Sequence, residues 1–138
     1  MKTNLDALYK TDASKEKEGF WYHVNQEIGF LIRRFGGKNA QRMKEISANV
    51  WKPHAKRMKS MTIEENDRVT TEAYVRSCVV DWKGIEVDGK VKEFDVKDAI
   101  ELFMALPDLR DELIQASSNA ENFKEDLGNY FAHGLNCI

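Results

Sequence analysis

The chain has 138 residues, the length of one ordinary domain, which is enough to bury a hydrophobic core without disulfides or metal ions. Hydrophobic residues make up 42% and charged residues 32%, the balance of a soluble globular protein, and the apolar runs are too short to cross a bilayer, so a membrane-spanning protein is excluded. The net charge of −2 is unevenly distributed: residues 1–60 carry 13 Lys and Arg against 6 Asp and Glu, and residues 61–138 carry 8 against 17, which favours binding to charged partners.

The amino-terminal part of the sequence predicts an arm followed by a hairpin. Residues 1–18 are polar and predict a mobile N-terminal arm, and residues 19–138 predict a single domain. After Gly19 the sequence becomes aromatic and β-branched. Residues 20–24 and 28–35 predict two strands that are joined by a short polar turn.

The middle of the chain predicts helices. A helical pattern runs from Asn39, which is available as an N-cap, to about Lys59. Pro53 interrupts it, so either the helix stops near Trp51 or a kink divides two short helices. Residues 62–65 match a capping box and predict a helix from Ile63 to about Trp82. Because this helix carries apolar residues on several faces, we expect it to be buried and Trp82 to lie in the core.

The last third predicts a second hairpin and further helices. Asp88-Gly89 is the strongest short-range hairpin signal, and it lies between two β-prone segments in residues 85–91. Asp95 predicts the cap of one helix and Pro107 the start of the next. A final helix would place Phe123 with Leu127, Tyr130 and Phe131 and end at Gly134. The predicted fold class is α+β: a mostly α-helical single domain with one or two small antiparallel β-hairpins.

The chain contains few residues that signal catalysis. The only close pair of soft metal ligands is His133 and Cys137, whereas zinc sites need four ligands. Gly36-Gly37 lacks the spacing of a phosphate-binding loop. Cys78 lies among apolar residues, which predicts a buried and inert thiol. We therefore expect no enzyme, no cofactor and no metal site, and free thiols in a reducing cytoplasm.

A basic segment is the best of the functional signals. One acidic residue, Glu45, lies among nine basic ones, which are Arg33, Arg34, Lys38, Arg42, Lys44, Lys52, Lys56, Arg57 and Lys59. Such a segment can neutralise phosphates of nucleic acid or contact an acidic protein. The residues predicted to bind a partner are Phe20, Trp21 and Tyr22 of the first hairpin and Arg33, Arg34, Arg42 and Trp51. The alternative for Phe20, Trp21 and Trp51 is that they are core residues.

An ordered set of short motifs carries a family resemblance. In chain order they are 18–21 (Glu-Gly-Phe-Trp), 33–39 (Arg-Arg-Phe-Gly-Gly-Lys-Asn), 51–54 (Trp-Lys-Pro-His), 80–85 (Val-Asp-Trp-Lys-Gly-Ile) and 106–109 (Leu-Pro-Asp-Leu). Over about residues 16–131 this order resembles the tail assembly chaperones of long-tailed bacteriophages and prophages. The resemblance implies a small, largely helical protein of the host cytoplasm, absent from the mature virion and without catalytic residues. It implies binding to the tape-measure protein, recruitment of tail-tube subunits, and a short form without the frameshifted C-terminal extension.

Two further expectations concern partners. The opposite charges of the two halves, together with the apolar first hairpin, predict a homo-oligomer that weakens as salt screens the charges. The alternative function is a small nucleic-acid-binding protein that uses the basic segment 33–59.

Overall fold

The computed structural model describes residues 3–124, and helices predominate in it. The helices are α1 (Asp6–Tyr9), α2 (Ala13–Glu18), α3 (Ala40–Trp51), α4 (Ile63–Cys78), α5 (Val96–Ala105) and α6 (Pro107–Ser118). The strands are β1 (Phe20–His23), β2 (Gly29–Ile32), β3 (Val79–Lys83), β4 (Glu86–Val87) and β5 (Lys90–Val91), and 3₁₀ helices cover Gly37–Asn39, Lys52–Ser60 and Ala120–Phe123. This confirms the predicted α+β class. Within residues 3–124 no helix is both long and apolar enough to cross a membrane.

The main sheet has three antiparallel strands in the order β1-β2-β3. In the central strand, Phe30 and Ile32 alternate with Leu31, and both are fully buried on the face that meets the helices. Tyr22 lies opposite Phe30 on one side, and Trp82 lies opposite it on the other. The first predicted hairpin, β1-β2, is therefore confirmed. The second, β4-β5, is confirmed as well, with Asp88 and Gly89 at positive φ between its strands.

The predicted helix from Ile63 to Trp82 is wrong at its C-terminal end. Helix α4 stops at Cys78, and the chain continues as strand β3. The residues after Cys78 include two β-branched valines and Trp82, which pack well on a pleated sheet, and pairing with β2 outweighs the helical pattern that leads up to them. The core position of Trp82 is confirmed, because only 5% of it is exposed.

Aromatic side chains join the sheet to the helices. The Phe30 ring lies 6.3 Å from the Trp82 ring and 5.9 Å from the Phe103 ring of α5, measured between centroids. Trp82 also contacts Phe94 edge-to-face at 5.3 Å and donates a hydrogen bond from Nε1 to the Lys92 carbonyl at 2.8 Å. Buried Leu113 of α6 belongs to the same core. Strand β2 therefore packs against β3 and α5, and the loop before α5 packs against Trp82 of β3.

Local signals set most of the helix ends. Thr62 and Glu65 form the predicted capping box, Asp95 caps α5, and Pro107 begins α6, as predicted. The α-helix also ends before Pro53, as predicted. Asn39 differs from the prediction, since its side chain makes no cap.

The Asn39 amide instead links two segments. Its Nδ2 donates to the carbonyls of Arg34 at 2.9 Å and Ser77 at 3.2 Å. These bonds tie the end of the first hairpin to α4, and the side chain is 1% exposed. A buried amide needs hydrogen-bond partners. The Asn39 side chain finds them in these two carbonyls of other segments instead of in the first turn of its own helix.

Residues 11–18, the second part of the predicted polar arm, contact the rest of the domain. Thr11 pairs with Lys124 in an antiparallel bridge, and the Asp12 amide donates to the Phe123 carbonyl at 2.6 Å. Helix α2 follows, and its Glu16 is buried against Arg34. A charged residue can be buried when an oppositely charged residue pairs with it. The partner of Glu16 is Arg34, which lies 18 residues further along the chain. The predicted partners of Phe123 in the last helix lie outside the described residues.

Trp82→Ala should lower the free energy of unfolding by about 3–5 kcal/mol, because it removes a large buried side chain and leaves a cavity. Chemical denaturation checks this. Trp82→Phe is the control: it keeps an aromatic ring and loses the Nε1 hydrogen bond, so its cost should be smaller. An equal, small cost for both substitutions would contradict a core role.

Candidate functional site

The seven predicted partner-binding residues lie in four places rather than in one site. Trp21 lies on the outer face of the three-stranded sheet, and Phe20 and Tyr22 lie on its inner face. Arg33, Arg34 and Arg42 surround the C-terminal end of α2, and half-buried Trp51 ends α3. Each place has its own chemistry.

The outer sheet face consists of Trp21, His23, Leu31, Asp81 and Lys83, which alternate with the buried positions of the three strands. Trp21 remains 37% exposed, and the Lys83 Nζ lies 4.8 Å from the centre of its ring. An ammonium over an indole face is an attractive arrangement. The face therefore presents apolar surface next to both a positive and a negative charge.

Phe20 and Tyr22 hold β1 to the C-terminal elements. The Phe20 ring meets the Phe123 ring edge-to-face at 4.9 Å, and Tyr22 Oη donates to Glu112 Oε2 at 3.1 Å. Burial raises the pKa of Tyr22, and the Glu112 carboxylate raises it further, so the phenol keeps the proton that it donates. These two predicted site residues have a clear structural role.

Arg34 is engaged inside the fold. Its Nη1 lies 2.8 Å from Glu16 Oε1, and the Glu16 side chain is 2% exposed. Glu16 also accepts the Lys38 amide at 3.0 Å, and the Arg34 guanidinium lies 5.6 Å from the Phe123 ring centre. The Glu16 carboxylate and the Phe123 ring hold the Arg34 guanidinium within the fold. The sequence predicts Arg34 as a residue that contacts a partner.

Arg33 and Arg42 form an arginine pair at the surface. Arg33 Nε and Arg42 Nη1 both donate to the carbonyl oxygen of Lys17, at 2.7 and 2.9 Å. Burial lowers the pKa of Arg33, and the nearby charge of Arg42 lowers it further, although a guanidinium remains protonated at neutral pH. Within residues 3–124 neither arginine forms an ion pair with a carboxylate. Their remaining N–H groups can therefore serve an anionic partner.

The basic 52–60 segment is the 3₁₀ helix that follows α3. In a 3₁₀ helix residues i and i+3 are aligned, so Lys56 and Lys59 share one ridge. Arg57 pairs with Glu65 at 2.8 Å, and Met58 is 50% exposed. The segment thus combines cationic side chains with one exposed apolar side chain.

The groups that could suggest other chemistry have structural explanations. Cys78 is fully buried, as predicted, and burial raises the pKa of its thiol to about 11, which disfavours the reactive thiolate. In the part of the chain that the structure describes, no three His, Cys, Asp or Glu residues lie together as a group that could hold a metal ion.

Sequence reasoning missed Leu31 and Lys83 as partners of Trp21. Both lie on the outer sheet face, but Lys83 reaches it only because residues 79–83 form a third strand. Strand alternation would have placed Lys83 beside Trp21 once β3 was recognised. Lys83 was therefore missed because the sequence did not show that helix α4 ends at Cys78.

The described residues form a small α+β domain with exposed apolar and charged surfaces. A family model described as "YdaY prophage protein" matches residues 35–129, which include α3 to α6. The chain belongs to this prophage protein family. Neither the comparison with curated proteins nor that with solved structures found a match.

Glu16→Ala should lower the free energy of unfolding by about 3–5 kcal/mol, because it leaves the Arg34 guanidinium beside Phe123 without its carboxylate. Thermal and denaturant unfolding measure this cost. Exposed Glu18, two residues along the same helix, provides the matched control as Glu18→Ala. The double variant Glu16→Ala/Arg34→Ala should cost less than the sum of the single variants, and strict additivity would contradict the coupling.

Proposed function

We propose that this prophage protein is a non-enzymatic tail assembly chaperone that binds the tape-measure protein and helps recruit tail-tube subunits in the host cytoplasm. Its membership in a prophage family and the motif order in residues 16–131 support this proposal. The observation that carries it is the outer sheet face, where Trp21 and Leu31 lie beside Lys83 and Asp81.

The chemistry of this face suits a helical client. A tape-measure protein outside the tail tube exposes long amphipathic helices, and their apolar stripes need a temporary cover. Trp21 and Leu31 offer apolar contact area, while Lys83 and Asp81 can meet charges on either side of such a stripe. The arginine pair and the basic 52–60 segment add positive charge for an acidic flank of the client.

Trp21→Ala should weaken tape-measure binding at least tenfold while the protein stays folded, since an aromatic anchor at the centre of an interface contributes about 2 kcal/mol or more. Co-expression of the two proteins, followed by measurement of the soluble tape-measure fraction, tests this. Val87→Ala is the matched control, because Val87 is 52% exposed on the separate β4-β5 hairpin. Equal solubilisation by the wild type and the Trp21 variant would contradict the role of the outer sheet face.

Nucleic-acid binding is the competing function, and the basic 52–60 segment is the observation that favours it. Within residues 3–124, Lys52, Lys56 and Lys59 form no ion pair with a carboxylate. The engagement of Arg34 with Glu16 reduces the positive surface that the sequence suggested.

We expect no binding of duplex or single-stranded DNA at physiological salt. Fluorescence anisotropy over a salt series measures it. A micromolar dissociation constant that rises steeply with salt, with a slope that falls by about one unit in Arg42→Ala, would favour the nucleic-acid function instead.

A further inference from the structure

Within the described residues, strand β1 has one hydrogen-bonding edge without a strand partner. The Val24 amide donates to the Ile28 carbonyl at 2.9 Å, which fixes the pattern of the β1-β2 ladder. Bonded positions recur every second residue in an antiparallel pair, so Tyr22 exchanges bonds with Phe30, and the N–H and C=O groups of Trp21 and His23 point away from β2. Among residues 3–124, β1 has no strand neighbour other than β2.

A groove lies next to this edge. It has a volume of about 550 Å³ and is lined by Tyr22 on one side and by residues of α6 and the following turn on the other, chiefly Glu112, Gln115, Ala116, Asn119 and Asn122. Among its lining residues within 3–124, Tyr22 is the one that belongs to the main sheet, so the groove lies between the inner side of β1 and α6. The edge strand and the groove therefore meet at Tyr22.

The groove favours a positive charge. Among the lining residues within 3–124, Glu112 is the one that carries a charge, and it belongs also to a neighbouring depression along α6 together with Asp108 and Asp111. Glu112 already accepts the Tyr22 hydroxyl, which fixes the carboxylate at the wall of the groove. A carboxylate without a lysine or arginine beside it in the groove can pair with a cation that enters from outside.

We propose that the edge of β1 binds an extended segment of a partner protein as an added fourth strand, with a lysine or arginine of that segment in the groove beside Glu112. The backbone groups of Trp21 and His23 pair with the segment. Side chains alternate along a strand, so residues next to Tyr22 enter the groove and residues next to Trp21 extend the outer sheet face. The ligand is thus an extended sequence that alternates basic and apolar residues.

This site goes beyond the proposed chaperone function and does not depend on it. The outer sheet face takes the apolar stripe of a helix, whereas the β1 edge takes backbone hydrogen bonds from an extended chain. The two sites share Trp21 and His23, but the outward N–H of His23 and the Glu112 carboxylate belong only to the β1 edge. The substitutions His23→Pro and Glu112→Gln therefore leave the tape-measure test at Trp21 separate.

The test uses the full chain and a blocked eight-residue peptide of alternating valine and lysine as the probe. Titration followed by amide NMR should shift the signals of Trp21 and His23 and slow the hydrogen exchange of their amides. A peptide with the same side chains and N-methyl groups along its ladder-forming edge is the control, and its binding should be lost. An alternating valine–glutamate peptide should bind at least about threefold more weakly, because its carboxylates face Glu112.

Three protein variants separate the contribution of the backbone N–H to peptide binding from the contributions of the side chains. His23→Pro removes the outward N–H and leaves the β1-β2 ladder intact, which an edge strand tolerates, and should weaken peptide binding about three- to tenfold. His23→Ala is the matched control, since it removes the imidazole and keeps the N–H, and should bind as the wild type does. Glu112→Gln keeps an acceptor for Tyr22 and should weaken binding about two- to fivefold.

Several results would overturn the proposal. These are the absence of peptide binding at millimolar concentration, equal binding of the N-methylated peptide, or chemical shift changes confined to other surfaces. If sedimentation shows a dimer that His23→Pro converts to a monomer while the peptide does not bind, the edge is a contact between copies of the chain. In that case the proposal of a partner segment is wrong.

Discussion

The structure depends on the burial of strand β2. Phe30 and Ile32 leave no surface exposed, and Phe30 contacts both Trp82 in the neighbouring strand and Phe103 in α5. A strand of four residues can be buried this way only with a strand on each side and helices on one face. This arrangement leaves the outer sheet face and the outer edges of β1 and β3 available to partners. The surfaces proposed for binding are therefore a direct consequence of how the core is built.

The buried Glu16–Arg34 pair is the second constraint. Burial of a carboxylate is costly unless it is paired and hydrogen-bonded, and Glu16 has both the Arg34 guanidinium and the Lys38 amide. The same pair fixes α2 against the end of the first hairpin. As a result the Lys17 carbonyl lies where Arg33 and Arg42 converge on it. Arg34 thus stabilises the fold, and its sequence neighbour Arg33 remains at the surface.

Local chemistry allowed much of the fold to be predicted. The aromatic hairpin, the Asp88-Gly89 turn, the capping box and the prolines each act within a few residues, so a single sequence reveals them. The end of α4 could not be predicted in this way, because Val79 and Trp82 follow a helical pattern and their strand partners, Ile32 and Phe30, lie about fifty residues earlier. Glu16 was missed for the same reason, since its burial depends on Arg34. The structural contacts of Phe20, Tyr22 and Arg34 could not be predicted either, because their partners Phe123, Glu112 and Glu16 lie far from them in the sequence.

The bridge between Thr11 and Lys124 has a mechanical consequence. Thr11 and Lys124 form a single antiparallel pair, reinforced by the short bond from the Asp12 amide to the Phe123 carbonyl. The two ends of the segment 11–124 are therefore held side by side. A pulling force applied at Thr11 and Lys124 acts on this pair before any load reaches Phe30 and the central strand. The core between these two residues is thus shielded from small forces applied there.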